Sequence, residues 1–241
     1  MAESHLKSPE ERDVVEAAET VQSFHNLFYD SNIWQSTYWH DTPVLKCPLD
    51  LWVYQELIRK LSPDLIVECG TWAGGATLYM ANMLDLVGRG RIITIDLLTA
   101  KQVREHYDHS GGQCRPHLRI RPEHPRITQL IGSSTEPAIV AQVVAAAQGL
   151  PCVLVIADSD HSSEHAYAEL VSYHSLVSPG SYFIMEDTNI PMEGPRQAVE
   201  AFLHQHPEFE ADATPEKFFL TFNPGGYLRR KEILTAVAAD Q

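Results

Sequence analysis

Five carboxylates stand in or directly after short apolar runs of this 241-residue sequence. Glu68 follows Leu65-Ile-Val67, and Asp96 closes Arg91-Ile-Ile-Thr-Ile-Asp96. Asp158 follows Cys152-Val-Leu-Val-Ile-Ala157, and Glu186-Asp187 follow Ser181-Tyr-Phe-Ile-Met185. Such runs read as buried strands, and in an open α/β sheet ligands bind beyond the carboxyl ends of the strands. Four acid-bearing strand ends on one edge repel one another unless cations neutralise them. Two cations are expected: a positively charged cofactor near Glu68 and Asp96, and a metal near Asp158, Glu186 and Asp187. Ligation by carboxylates alone is hard-oxygen chemistry and points to Mg²⁺, with Mn²⁺ or Ca²⁺ as substitutes. His161, three residues after Asp158, can take the proton of an acceptor hydroxyl as a neutral imidazole. Asp160 and His165 compete for these roles. Each residue also has a plainer reading: Asp158 as a helix-capping acid, Glu186-Asp187 as an exposed turn, His161 as a surface or capping histidine.

The turn that places the first acid is Glu68-Cys-Gly-Thr-Trp-Ala-Gly-Gly75. It reads as strand, tight glycine turn and helix, with Gly70, Gly74 and Gly75 letting a ligand approach the backbone and the helix start offering unpaired N–H groups. A dinucleotide fingerprint has glycine where Glu68 stands, making room for a pyrophosphate. A carboxylate there repels a pyrophosphate and suits a cationic, amino-acid-bearing cofactor. The pattern E-x-G-x-x-x-G resembles the first motif of S-adenosylmethionine-dependent methyltransferases.

The elements that must hold these residues follow from periodicity and turn signals. Helices are predicted over 9–29, with Ser8 as N-cap, and over 48–61, 76–86, about 136–148, about 163–177 and about 194–205. Strands are predicted over 65–69, 91–96, 126–131, 152–157, 181–185, 218–222 and 227–229, the last two joined at Asn223-Pro-Gly-Gly226. Five strand-then-helix alternations and a closing hairpin imply an open, mostly parallel sheet with helices on both faces and an antiparallel edge. Residues 100–125 read as irregular and locally basic, with Lys101, Arg104, Arg115, Arg119 and Arg121: a solvated surface, or a clamp for an anionic acceptor. His106-Tyr-Asp108 formally matches the H-x-D of an iron site but lies in the wrong context beside Gly111-Gly112. The rings of Phe24, Phe28, Tyr29, Trp34, Tyr38 and Trp39 need burial, in a lid over the cofactor or in a subunit contact.

A formal charge of −14 argues against nucleic acid or an anionic membrane as partner. No apolar span or signal peptide is read, so a cytoplasmic protein is the expectation. Cys47, Cys69, Cys114 and Cys152 are widely spaced and suggest neither zinc nor disulfides.

Lys46-Cys-Pro-Leu-Asp-Leu-Trp52, Glu68-Cys-Gly-Thr-Trp-Ala-Gly-Gly75, Asp96, His124-Pro-Arg-Ile127, Gly132-Ser-Ser134, Asp158-Ser-Asp-His161, Pro179-Gly-Ser-Tyr182 and Glu186-Asp-Thr188 together resemble the cephalosporin hydroxylase and rhamnosyl O-methyltransferase family over residues 32 to 230. The resemblance implies a doubly wound, mostly parallel, seven-stranded Rossmann-like methyltransferase sheet with an antiparallel last strand. It divides the chain into an N-terminal helical and aromatic extension, residues 1–47, and a methyltransferase domain, residues 48–241. It implies S-adenosylmethionine bound by Glu68, Gly70, Thr71, Gly74, Gly75, Asp96, Ser133, Ser134 and Asp158, and Mg²⁺ on Asp158, Glu186 and Asp187. His161 and Asp158 are the catalytic residues in that reading. The expected reaction is Mg²⁺-dependent methyl transfer to a hydroxyl of a small molecule, a rhamnose-type deoxysugar or nucleotide-diphosphate sugar in natural-product biosynthesis, by a homo-oligomer. The alternatives are a non-sugar secondary metabolite as acceptor, or a non-catalytic cofactor-binding protein. A nicotinamide oxidoreductase would need glycine in place of Glu68.

Overall fold

The computed structural model describes residues 9–109, 117–189 and 194–232, with the side chains of residues 9–16 and 109 excluded. Ser8, Gly111-Gly112, Cys114 and Arg115 lie outside the described residues. The chain opens with α1 (Pro9–Asp30) and a short ribbon, β1 (Tyr38–Trp39) and β2 (Thr42–Pro43). Then α2 (Pro48–Leu61), β3 (Leu65–Cys69), α3 (Gly75–Val87), β4 (Arg91–Asp96), α4 (Ala100–His109), β5 (Ile127–Ile131), α5 (Pro137–Ala147) and β6 (Val153–Ala157) alternate. The chain continues with α6 (Ser163–Tyr173), β7 (Tyr182–Met185), α7 (Pro195–Gln205), β8 (Phe209–Ala211) and β9 (Tyr227–Arg230).

Strands β5-β4-β3-β6-β7-β9-β8 form one seven-stranded sheet. Its first five strands are parallel, and β9 runs antiparallel to both neighbours. The doubly wound, mostly parallel sheet with an antiparallel last strand is therefore the fold. β3 is central and buried along its whole length. Side chains alternate across it: Leu65, Val67 and Cys69 pack with α5, α6 and α7, whereas Ile66 packs with α2 and α3. Glu68 shares the face of Ile66, so the alternation sends its carboxylate under the first turn of α3.

Two sequence expectations are corrected. Residues 100–109 are helical, not irregular: Thr99 and Gln102 cap the helix start reciprocally, Thr99 N donating to Gln102 Oε1 and Gln102 N to Thr99 Oγ1. Their polarity hid a capping box with glutamine. His106 and Asp108 thus ride on a helix, where His106 lies edge-on to Trp72. Residues 218–222 are not a strand, and the partner of β9 is 209–211 instead. Phe219 has φ +66°, which breaks an extended run, and Asp50 takes the Phe222 N–H that a ladder would need.

The ring cluster of the N-terminal segment turns inward on one residue. His25, Phe28, Tyr29 and Trp34 all lie within 5.5–6.1 Å, centroid to centroid, of Phe222. Trp39 packs on Tyr79 and donates to Asn82 Oδ1. Phe24, Leu27 and Ile33 remain more than half exposed. Cys47, Cys69 and Cys152 are free thiols. No helix among the described residues is long and apolar enough to cross a membrane.

Candidate active site

The loops after β3, β4, β5 and β6 enclose a cleft of about 500 Å³, lined by Gly70, Trp72, Ile95 to Leu98, Gly132 to Ser134, Asp158 to Asp160 and His165. Of the predicted cofactor residues, Gly70, Asp96, Ser133, Ser134 and Asp158 line it. Glu68, Thr71, Gly74 and Gly75 build it from below. Glu68 is 2% exposed. Its Oε2 accepts the hydroxyls of Thr77 and Thr94, and Thr94 meets the Thr71 hydroxyl at 2.6 Å. Burial pushes the Glu68 carboxyl up to about 7, against those two hydrogen bonds.

The glycines answer to the chain more than to a ligand. A Cβ on Gly75 would sit 2.2 Å from the Pro43 carbonyl, and one on Gly74 3.2 Å from Arg121 Cα. Gly70 adopts φ +93° and packs its backbone on the Asp158 peptide. Asp96 Oδ2 accepts Thr71 N (3.1 Å) and Trp72 N (2.7 Å) and pairs with Arg121 at 2.8 Å, while Oδ1 accepts Leu98 N at 2.7 Å. Of about four acceptor directions on a carboxylate, one on Oδ1 is left for a ligand. Ser134 donates its hydroxyl to buried Glu169, which also accepts from Ser159, and its Oγ lies 3.1 Å from His165 Nε2.

Beside the cleft the other acids converge. Asp158 and Glu186 both bind the ammonium of Lys46, which is 5% exposed. The hydroxyl of Tyr54 donates to Glu186 Oε1 at 2.6 Å. α2 therefore reaches the site directly: Asp50 and Tyr54, one helical turn apart, face inward, and Asp50 accepts Thr221 Oγ1, Phe222 N and Tyr227 OH. His161 Nε2 lies 3.0 Å from Asp187 Oδ2 and 3.5 Å from Asp158 Oδ1. Asp187 has φ +55°, a conformation that an Asp adopts at a cost, and its N–H is held by Asn223 Oδ1 at 3.2 Å. Asn189 Nδ2, 3.0 Å from His25 Nε2, ties the same turn to α1.

The charges compensate one another. Burial pushes Asp158 up, but Lys46 and His161 outweigh it and hold the carboxyl below its ordinary range. Burial and the Asp158 charge push Glu186 up to about 8 and Asp187 up to about 6. The hydrogen bond to Asp158, with the Asp187 charge, pushes His161 up to about 9 despite partial burial. Lys46 keeps its proton because Asp158 and Glu186 outweigh the cost of burying it.

This donor set fits a hard divalent cation. Asp158, His161 and Asp187 already bring one ligand-type atom each within 4.8 Å of one another. Glu186 adjoins them with both oxygens committed, one to Lys46 and one to Tyr54. Three carboxylates around one point call for positive charge, which Lys46 and His161 supply here. The sequence assigns no role to Lys46, Tyr54, Trp72, Leu97 or Leu98, although Lys46 and Trp72 stand in the motifs that carry the family resemblance. A further signal is a lysine inside an apolar stretch, Val44-Leu-Lys-Cys47, since a buried ammonium needs partners.

The chain is similar to known proteins over most of its length. The sequence model of the family described as Rhamnosyl O-methyltransferase/CmcI matches residues 31–231. A rhamnosyl O-methyltransferase of Mycobacterium tuberculosis strain H37Rv is 32% identical over 222 residues, covering 87% of this chain and 84% of that protein. The solved structure titled cmcI-D160 Mg-SAM superposes with a TM-score of 0.59 at 19% identity, over 81% of this chain and 77% of that one. That of CalS11, titled a TDP-rhamnose 3'-O-methyltransferase, superposes at 0.52 and 17% identity, over 93% and 96%. At such identities the two structures speak for the fold alone.

Proposed function

Because the chain belongs to the rhamnosyl O-methyltransferase/CmcI family and is an S-adenosylmethionine-dependent O-methyltransferase, we propose that it methylates a hydroxyl of a rhamnose-type sugar, free or carried on a nucleotide diphosphate, with Mg²⁺ at Asp158, Glu186 and Asp187. The observation that carries this reading is the position of Asp158. It lines the cleft and belongs to the acid cluster, so methyl donor and acceptor oxygen meet at one residue.

S-adenosylmethionine supplies a methyl group already activated on sulfur, and a divalent ion supplies a charge that orients an acceptor hydroxyl and lowers its pKa. The remaining work belongs to the chain. Gly70, Trp72, Asp96, Leu97, Leu98, Ser133 and Ser134 hold the donor in the cleft, Asp96 offering its last acceptor direction to the ribose. Holding two reactants in line contributes roughly 7–11 kcal/mol. His161 receives the acceptor proton at Nε2. In the present arrangement Asp158 and Asp187 hold that imidazole protonated, and committing those carboxylates to another cation removes the field that does so. General-base assistance of this kind adds about 10²–10⁴-fold. Of the N-terminal extension, the described residues serve in this reading as a cover: His25, Tyr29 and Trp34 pack on Phe222 beside the Glu186-Asp187 turn, while Phe24 and Leu27 face outward for a subunit contact.

The test is methyl transfer from isotopically labelled S-adenosylmethionine to a panel of rhamnosides and nucleotide-diphosphate sugars, with and without exhaustive chelation. Labelled sugar formed only with Mg²⁺ is the expected result. Turnover that survives chelation refutes the metal assignment, and transfer only to non-sugar acceptors favours the secondary-metabolite alternative.

A further inference from the structure

A second set of ligand-type side chains lies away from the cleft. α6 runs from the carboxyl end of β6 back toward the start of β7, so His174, just after it, stands at the opposite edge of the sheet from Asp158. Its Nδ1 lies 3.1 Å from the Leu170 carbonyl and 3.0 Å from that of Val171. Carbonyls only accept, so Nδ1 carries the ring proton and the lone pair is left on Nε2. A backbone bond of this kind fixes the tautomer of metal-binding histidines.

His206 closes α7, its N–H donating to the Phe202 carbonyl at 3.0 Å. Its ring stacks on fully buried Phe202, with centroids 4.1 Å apart and planes at 17°, and lies 4.4 Å from the His174 ring. Two residues on, Glu208 brings Oε1 to 3.0 Å from His206 Nδ1. One ligand-type atom from each of the three residues falls within 4.8 Å of the others. All three side chains are partly exposed, so an ion can enter from solvent.

We propose that His174, His206 and Glu208 bind one zinc-type transition-metal ion that pins the end of α6 to the turn between α7 and β8, separately from the methyl-transfer site. Two imidazoles and one carboxylate suit zinc, copper or nickel, whereas the oxygen-rich set at Asp158 suits magnesium. With bonds of about 2.0–2.1 Å, the ligand atoms of a tetrahedral zinc stand roughly 3.3 Å apart. His206 Nδ1 and Glu208 Oε1 are hydrogen-bonded at 3.0 Å, the proton on Nδ1, so an ion that displaces this proton meets the two atoms near that spacing, and the stack on Phe202 holds the His206 ring in place. Water takes the fourth position.

The experiment uses the tag-free full-length chain, stripped of metal and kept in excess Mg²⁺, with Zn²⁺ added in calorimetry and in thermal unfolding. One Zn²⁺ per chain and a raised Tm are expected. His206→Ala should abolish that binding. Glu208→Gln, a partly exposed change that leaves the core intact, should weaken it at least about tenfold and leave S-adenosylhomocysteine affinity unchanged. The proposal is overturned if the wild type takes up no Zn²⁺ under these conditions, if Glu208→Gln and His206→Ala bind Zn²⁺ as the wild type does, or if Asp158→Ala removes the binding instead.

Discussion

The backbone of Gly70 lies so close to the carbonyl oxygen of Asp158 that a Cβ on residue 70 would stand 1.7 Å from it. The turn after β3 and the acid after β6 are therefore one packed unit, held also by Asp158 N donating to the Cys69 carbonyl at 2.8 Å. The cofactor turn cannot shift without moving the acid cluster.

Gly70→Ala tests that unit. The substitution adds left-handed strain and drives two backbones apart, so a loss of more than about 2 kcal/mol is expected in urea unfolding. Binding of S-adenosylhomocysteine should fall with it. Gly88→Ala is the control: its φ is +86° but nothing lies within 4 Å of the added Cβ. It should cost only about 1–2 kcal/mol and leave binding intact.

Lys46→Met removes the counter-charge of Asp158 and Glu186. Breaking a buried ion pair from one side costs about 3–5 kcal/mol, so the metal-free Tm should drop. Mg²⁺ should then raise the Tm of the variant by more than it raises that of the wild type. An equal Mg²⁺ response in both proteins would show that lysine and metal do not answer to the same carboxylates.

Glu186→Gln and His161→Ala distinguish ligand from base. With Mg²⁺ on Asp158, Glu186 and Asp187, Glu186→Gln should weaken Mn²⁺ binding, followed by paramagnetic resonance, at least about tenfold. His161→Ala should leave it nearly unchanged while slowing single-turnover methyl transfer by about 10²–10⁴-fold. The reverse pattern would make His161 the third ligand in place of Glu186.

Glu68 makes stability depend on pH. Its folded pKa, pushed up by burial to about 7, lies above the ordinary 4.5. The neutral form is thus favoured by folding, and its contribution is complete below pH 4.5 and lost as pH rises to 7. Relative to Glu68→Gln, wild-type stability should fall across that window by at most about 1.4 kcal/mol per pH unit. Parallel stability curves for the two proteins would rule this out.

Asp50→Ala strands three donors at once: Thr221 Oγ1, the Phe222 N–H and Tyr227 OH. An unpaired buried polar group costs about 1–3 kcal/mol, so a total loss of at least about 3 kcal/mol is expected by denaturant unfolding. Asp50→Asn, which keeps an acceptor, should lose less.

Much of the site was legible from local order alone. An apolar run that ends in an acid is a strand followed by a loop whatever it packs against, so Asp96, Asp158 and Glu186-Asp187 could be placed at strand ends, and the β-α alternation put those ends on one edge. What local order does not carry is pairing across long separations. Lys46 meets Asp158 and Glu186 across 112 and 140 residues, and nothing near Lys46 names those partners. The same limit governs Glu68, whose acid type suggested a ligand contact until the pleat turned it under α3 toward Thr77 and Thr94. It governs residues 218–222 as well, where strand-like composition lost to the hydrogen bonds that Asp50 offers from α2. Residue types and their spacing determined which groups could bind charge and transfer a proton. Only the packing of α2 and the loops decided which charges face each other, because burial makes every such group depend on partners that the chain order does not reveal.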